Sequence, residues 1–286
     1  MEKTVKNRGM FGDAWHRLRK NRLAILGLAI MVLFILSAAF ADVIAPYGYA
    51  QQNLDQIFLF PCKEHILGTD NLGRDIFSRI IYGARISLQI GFVSVGISVI
   101  LGSILGCISG FYGGKVDTLI MRMVDVMMAI PSVLLAIVIA SVLGTGMRNL
   151  MFAIGISSVP SFARIVRASI LSIRDQEYIE AARLSGSSDA RIILRHILPN
   201  ILPNIIVQVT LSMGLAILNA ASLSFLGLGV QAPQPEWGSM LAAGRGYMQQ
   251  YWHLVVFPGI AIVLLVLALN MIGDGLRDAL DPRMKR

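Results

Sequence analysis

Charge is scarce in this chain: Asp, Glu, Lys and Arg make up 15% of its 286 residues, where soluble globular proteins carry about 25%. No polar stretch is long enough to fold as a separate catalytic domain, which excludes a soluble enzyme. Cysteine is rarer still. Cys62 and Cys107 stand far apart with no CxxC pair, so neither a disulfide framework nor a zinc site is indicated. The four histidines, His16, His65, His196 and His253, lie outside or at the ends of the apolar runs. An intramembrane metalloprotease would find no ligands, and no metal site is expected.

Nucleotide and nucleophile motifs are missing as well. Gly110 to Val116 approaches a phosphate-binding loop with the wrong spacing and no hydroxyl after Lys115. Gly227 to Ala232 fits a loose GxGxxA pattern, but it follows an apolar run rather than a strand. GxSxG is absent, and Gly186 to Ala190 offers only GxSxA without strand context. No residue is assigned a catalytic role, and any energy input must come from a gradient or from another polypeptide.

What the chain has is apolar length. Hydrophobic residues form 55% of it, with a mean hydropathy of +0.68. A bilayer core of about 30 Å needs roughly 20 apolar residues per helix. Six runs qualify: Leu23 to Ala41, Ile86 to Gly114, Val126 to Met147, Asn149 to Ala163, Ile197 to Pro235 and Gly246 to Gly273. The fifth reads as one helix followed by a loop, because Gly227, Gly229, Pro233 and Pro235 punctuate its second half. The fourth is short, so its helix is expected to continue past Arg164 and Arg167, whose charged ends must reach water. Ala39 to Ala41 after a basic leader resembles a signal-peptide cleavage site. The apolar region there, about 19 residues, exceeds the roughly 7 to 15 of a signal and suits an uncleaved anchor.

Six spans put both termini in one compartment. Segments on that side hold 19 of the 25 basic and 11 of the 17 acidic residues, which accounts for the whole formal charge of +8; the other side balances 6 against 6. By the positive-inside rule both termini are cytoplasmic. The charge reports orientation, and no nucleic-acid partner is expected.

Within the second run, Ser94, Ser98, Gly102, Gly106, Gly110 and Gly114 recur every four residues and form one helical stripe. Small residues let another helix approach closely, so Gly102, Gly106 and Gly110 are expected to pack within the bundle. Ahead of that run, Phe77, Ile80, Ile81, Ala84 and Leu88 follow helical spacing and predict a separate helix lying on the outer surface. Phe11, Trp15 and Leu18 give the N-terminus the same character on the inner surface. Trp237, Tyr247, Tyr251 and Trp252 read as an aromatic belt at the headgroups, with a gating or partner-docking role for that loop as the alternative. Asp125, six residues before Pro131, lies near the depth of Arg164 and Arg167, and a charge pair there would compensate for partial burial.

Between the fourth and fifth runs, Arg174 to Asn200 reads as helix, turn, helix. Gly186 can end the first helix in the left-handed conformation, and Ser187 or Ser188 can cap the second, with Asp189 in its first turn. Ala181, Ala182 and Ser185 keep the first helix small-faced, as suits docking into a groove of a cytoplasmic partner.

Glu180-Ala181-Ala182, Gly186 four residues later, and Leu198-Pro199 resemble the EAA loop of binding-protein-dependent ABC importer permeases. Leu67 to Arg79, Gly83 to Leu88, Ser224 to Gly229 and Gly273 to Arg283 resemble the peptide branch of that family, so the likeness covers essentially the whole chain. His196 departs from the Ile often found two residues before the Leu-Pro pair. The resemblance implies an all-α membrane protein with the type I importer permease fold. Residues 1–85 would form the cytoplasmic segment, first anchor and outer segment, residues 86–275 the core, and residues 276–286 a cytoplasmic tail. It further implies a C-type subunit working with a sister permease, two cytoplasmic ATPases that bind the ATP and Mg, and an extracytoplasmic solute-binding protein, in a prokaryotic inner membrane. Peptides are the substrate most in keeping with the resemblance; nickel, glutathione and opines are alternatives. A gradient-driven transporter would need mid-membrane ionisable groups or repeated halves, and the chain shows neither clearly.

Overall fold

The structure, a computed structural model, describes residues 10–280. Lys3, Lys6, Arg8, Arg283, Lys285 and Arg286 lie outside those residues, as does the side chain of Phe11. Helix α1 (Met10–Leu18) leads into α2 (Arg22–Ala39) and a single turn, α3 (Ala41–Ile44). Asn21 starts α2 by accepting the amides of Leu23 at 3.1 Å and Ala24 at 3.2 Å, two of the donors every helix start leaves unpaired. Ala24 and Gly27 turn α2 towards the last helix.

Helix α4 (Ile76–Tyr112) starts at Asp75, whose carboxylate accepts the Ser78 amide at 2.7 Å. Its 37 residues extend about 55 Å, nearly twice the bilayer core, so its early turns project beyond the apolar slab. The separate outer-surface helix expected over Phe77 to Leu88 is therefore absent as such. That segment is the start of α4, and helix continues without a break through residues 85 and 86. The apolar stripe itself is only half-buried at Phe77, Ile80, Ile81 and Leu88, whereas Ile76, Ser78, Arg79, Gly83 and Ala84 are buried against protein, so polar positions of the segment also face the core.

The third run also differs from its expected form. It divides into α5 (Gly114–Met128) and α6 (Ser132–Leu143), bent by 87°. Pro131 supplies no N–H and steers Ile130 away from helical geometry, which breaks the ladder there. At 12 residues, α6 reaches only about 18 Å and cannot cross alone. Helix α5 is amphipathic, with Val116, Leu119, Met123 and Val126 exposed beside Asp117, Arg122 and Asp125.

Helix α7 (Met147–Leu171) continues past Arg164 and Arg167, as its charged end requires. Two short helices, α8 (Glu177–Leu184) and α9 (Asp189–Ile192), precede α10 (Leu198–Phe225). An irregular segment over residues 226–236 follows, then α11 (Trp237–Gly244) and α12 (His253–Leu280). Among the described residues five helices are long and apolar enough to cross a membrane, or six if the bent pair forms one span.

Buried side chains form three main clusters: the first includes Ile90, Leu150, Ile154 and Phe162, the second Ile76, Trp237, Leu265 and Leu269, and the third Ile170, Ile179, Ile192 and Ile197. Trp237 is wholly buried, and its indole N–H donates to the Ile80 carbonyl at 3.1 Å. It is a core residue of the second cluster, not part of an interfacial belt; Tyr247 and Trp252 remain exposed.

Candidate functional site

One end of the bundle is organised by the loop from α7 to α10. Ile179 on α8 is completely buried and meets Ile170 of α7 and Ile192 and Ile197 beyond the turn. Apolar burial of this kind contributes about 1.5–3 kcal/mol per large side chain and fixes α8 against the bundle. Arg174 adds a polar tie, donating to the Gly110 carbonyl at the end of α4 at 3.1 Å.

Helix α8 ends at Gly186, with φ +75°. The Gly186 amide donates to Arg183 O at 3.0 Å and the Ser187 amide to Ala182 O at 3.2 Å, the paired bonds of a Schellman end. Only a residue that tolerates the left-handed region can complete it. Ser188 occupies the cap position of α9 in extended conformation, yet its hydroxyl makes no cap bond. The second helix then passes through a wide turn over Ile193–Ile197 into α10, which places Pro199 in the first turn, where a missing N–H is tolerated. Leu198 packs on the third apolar cluster and Pro199 is exposed.

Glu180, Ala181 and Gly186 face outward and Ala182 is half-buried. The sequence reading missed the apolar tip beside them. Leu184 is 91% exposed, Leu194 64% and Tyr178 42%, so the loop presents hydrophobic surface outward rather than only small residues. Leu184, an apolar residue between Arg183 and Ser185, was the available signal.

Above the loop, α7 is joined to α5 by two ion pairs. Arg164 Nη2 reaches Asp125 Oδ1 at 2.7 Å, with both side chains 51% exposed. Arg167 does not join that pair. It takes Asp117 in a two-pronged contact, Nε to Oδ1 and Nη2 to Oδ2, both 2.6 Å, and Ser109 also donates to Asp117. Asp117 lies one turn into α5, where helical geometry brings it opposite Arg167. Both pairs hold α5, the first arm of the bent pair, against α7.

The small-residue stripe of α4 meets α7 directly. A methyl group at Gly102 would sit 2.5 Å from Phe162 Cβ, at Gly106 2.6 Å from the Ala163 carbonyl, and at Gly110 3.0 Å from Ile170 Cβ. Gly155 of α7 reciprocates against Ile97, and Ser98 Oγ donates to the Gly155 carbonyl at 2.7 Å. Gly114 stands apart at the start of α5 with nothing near it. Among the described residues, no three His, Cys, Asp or Glu side chains converge as a metal-ion site.

A bundle of apolar helices, one span of it bent, with a structured loop between α7 and α10, is an architecture that suits a membrane permease subunit. Residues 68–286 match the family of binding-protein-dependent transport system inner membrane components, and residues 9–61 match the N-terminal membrane domain of oligopeptide transport permease C. The chain belongs to this family. It is 53% identical over 273 residues to the dipeptide transport system permease protein DppC of Alkalihalophilus pseudofirmus, covering 96% of this chain and 90% of that one. The di/tripeptide permease DppC of Pseudomonas aeruginosa is 46% identical over 279 residues, covering 96% and 92%. The glutathione permease GsiD of Escherichia coli is 48% identical over 274 residues, covering 96% and 90%. Among solved structures, the inward-facing methionine transporter MetNI matches with a TM-score of 0.58 at 20% identity, covering 70% of this chain and 96% of that one. An amino acid ABC transporter matches at 0.54 and 17%, covering 69% and 92%. These likenesses establish the importer-permease fold.

Proposed function

We propose that this chain is the C-type permease subunit of an ATP-driven importer of di- or oligopeptides, lining the translocation path together with a sister permease. The observation that carries this reading is the cytoplasmic loop: a buried Ile179 anchor, a glycine-dependent turn at Gly186 and an exposed tip at Leu184, set on a membrane bundle without a nucleotide site. Glu180, Ala181, Ala182 and Gly186 form the element that docks on a cytoplasmic ATPase, with Leu198 and Pro199 joining it to α10. An ATPase pair binds the ATP and Mg, and an extracytoplasmic binding protein delivers the substrate. Both termini are cytoplasmic in a prokaryotic inner membrane, in keeping with the basic bias of the inner segments. Residues 1–85, 86–275 and 276–286 serve as anchor region, permease core and tail.

The peptide reading is supported by the dipeptide and di/tripeptide relatives; the glutathione relative names the principal competitor. The test is reconstitution of this chain with its sister permease, ATPases and binding protein in proteoliposomes. Uptake of labelled dialanine that depends on ATP and binding protein, and exceeds uptake of glutathione and nickel, is the expected result. Uptake driven by an ion gradient without the ATPases would refute the assignment.

A further inference from the structure

At the outer end of the molecule, the turn between α6 and α7 faces the irregular segment between α10 and α11, and a cavity of about 510 Å³ opens between them. Small-molecule sites occupy roughly 300–1,000 Å³. The polar side chains lining it are Thr145, Arg148, Asn149, Gln231 and Gln234, with no carboxylate among the lining residues. Its two walls are tied together. The Gly146 amide donates to the Gly229 carbonyl at 3.1 Å. The guanidinium of Arg79, only 4% exposed, donates to the Pro233 carbonyl at 3.4 Å and so holds the second wall from beneath.

The amides lining the cavity are oriented by partners that can only accept. Asn149 Nδ2 donates to Leu143 O at 2.7 Å and Gly144 O at 3.2 Å, and Gln231 Nε2 donates to Gly227 O and Gly229 O, both at 3.2 Å. A backbone carbonyl has no proton to give, so each NH₂ is committed to the protein's own loops and each side-chain oxygen turns the other way. Arg148 is differently placed. Arg74 and Arg79 share Asp70 and Arg85 has Asp42, whereas Arg148 has no carboxylate partner among the described residues. An unpaired guanidinium and two outward amide oxygens complement a small zwitterion. The carboxylate takes the fork of the guanidinium, and the ammonium donates to the amide oxygens. A metal cation would meet a positive charge and no carboxylate.

We propose that this outer cavity receives a short peptide in passage, its C-terminal carboxylate on Arg148 and its N-terminal ammonium on Asn149 and Gln231. This rests on the peptide reading above. Arg148 then acts after delivery, on transfer of the substrate, and not on its capture from solution.

The test uses the complete complex in proteoliposomes, with dialanine as the probe and loaded binding protein titrated to saturation. The variants are Arg148→Gln and Arg148→Lys, with Lys63→Gln as an exposed outer control. Loss of one charge-assisted contact corresponds to about a tenfold effect. The maximal uptake rate should fall by about that factor in Arg148→Gln and recover in part in Arg148→Lys, with complex yield unchanged in both and Lys63→Gln like wild type. An unchanged maximal rate in Arg148→Gln overturns the proposal. So does a weaker apparent affinity for the binding protein at unchanged maximal rate, which would assign Arg148 to protein docking. A wild-type complex that fails to import dialanine overturns the peptide reading itself, and the cavity assignment with it.

Discussion

Gly106 is the position where a single side chain should do most damage to the bundle. A methyl group there would stand 2.6 Å from the Ala163 carbonyl, 2.8 Å from Val166 Cβ and 3.0 Å from the Arg167 amide, whereas ordinary contact begins at 3.4 Å. Two of the three neighbours are backbone atoms of α7, which cannot swing aside like a side chain, so alanine requires the helices to separate by about 0.8 Å. Separation would also loosen Gly102 against Phe162, Gly110 against Ile170 and the 2.7 Å bond from Ser98 to Gly155. In lipid, where apolar tails compete equally for apolar surface, that close contact is the main attraction between helices. Overpacking typically costs about 1–3 kcal/mol. Gly106→Ala should fall at the lower end and Gly106→Leu, with three further carbons, at or beyond the upper. Gly96 has nothing within 4 Å of its added methyl, so Gly96→Ala serves as control. The measurements are melting midpoint and yield of the solubilised complex, and uptake in proteoliposomes. Gly106→Leu should lower all three, Gly106→Ala should lie between, and Gly96→Ala should match wild type. A Gly106→Leu protein indistinguishable from Gly96→Ala would refute the packing argument.

The spans were legible because a bilayer demands long apolar runs, and the small-residue stripe because a period of four on a helix means one face. The loop was legible for a similar reason: a left-handed turn at Gly186 and prolines at the start of α10 each have one physical use. What stayed hidden depended on partners far away in the chain. Phe77 to Leu88 shows an amphipathic period whether its apolar side meets lipid or protein. Only the fold reveals that Arg79 lies between the carbonyls of Tyr49 and Pro233, 30 and 154 residues away. Trp237 looked like a headgroup anchor for the same reason, since an aromatic in a loop does not announce the Ile80 carbonyl that awaits its N–H. The bend at Pro131 was the more readable omission. A hydropathy run measured by uncharged length begins at Val126 and overlooks that helix already starts at Gly114, so the proline falls between two arms rather than near the start of one span. Asp117 escaped notice because no helix was expected to begin at Gly114; a helix starting there would have put it opposite Arg167.

Three further outcomes follow from the polar geometry. Gly186→Val places a β-branched residue at φ +75°, at a cost of about 1–2 kcal/mol; substrate-stimulated ATPase and uptake should fall, and near-normal values of both would refute the coupling role of the turn. Glu236 is 2% exposed and accepts the Gly238 and Ser239 amides, yet burial outweighs those bonds and holds its carboxyl above the ordinary range. Its stabilisation is therefore complete below the unfolded value near 4.3 and is lost as pH rises through the raised folded value, so Glu236→Gln should flatten that part of the melting-versus-pH curve. The two ion pairs between α5 and α7 should differ, because exposure decides what an ion pair is worth. Asp117 and Arg167 make two bonds at 2.6 Å with side chains 19% and 29% exposed, so Asp117→Asn, which leaves a guanidinium half-satisfied in a partly dry place, should cost about 1–3 kcal/mol. Asp125 and Arg164 make one bond with both side chains 51% exposed, where water and salt replace the partner and the expected loss is about 0–1 kcal/mol. Melting of the solubilised complex at low and high salt separates them: Asp125→Asn should approach wild type at high salt while Asp117→Asn remains impaired, and equal effects of the two substitutions would show that burial does not govern how α5 is held.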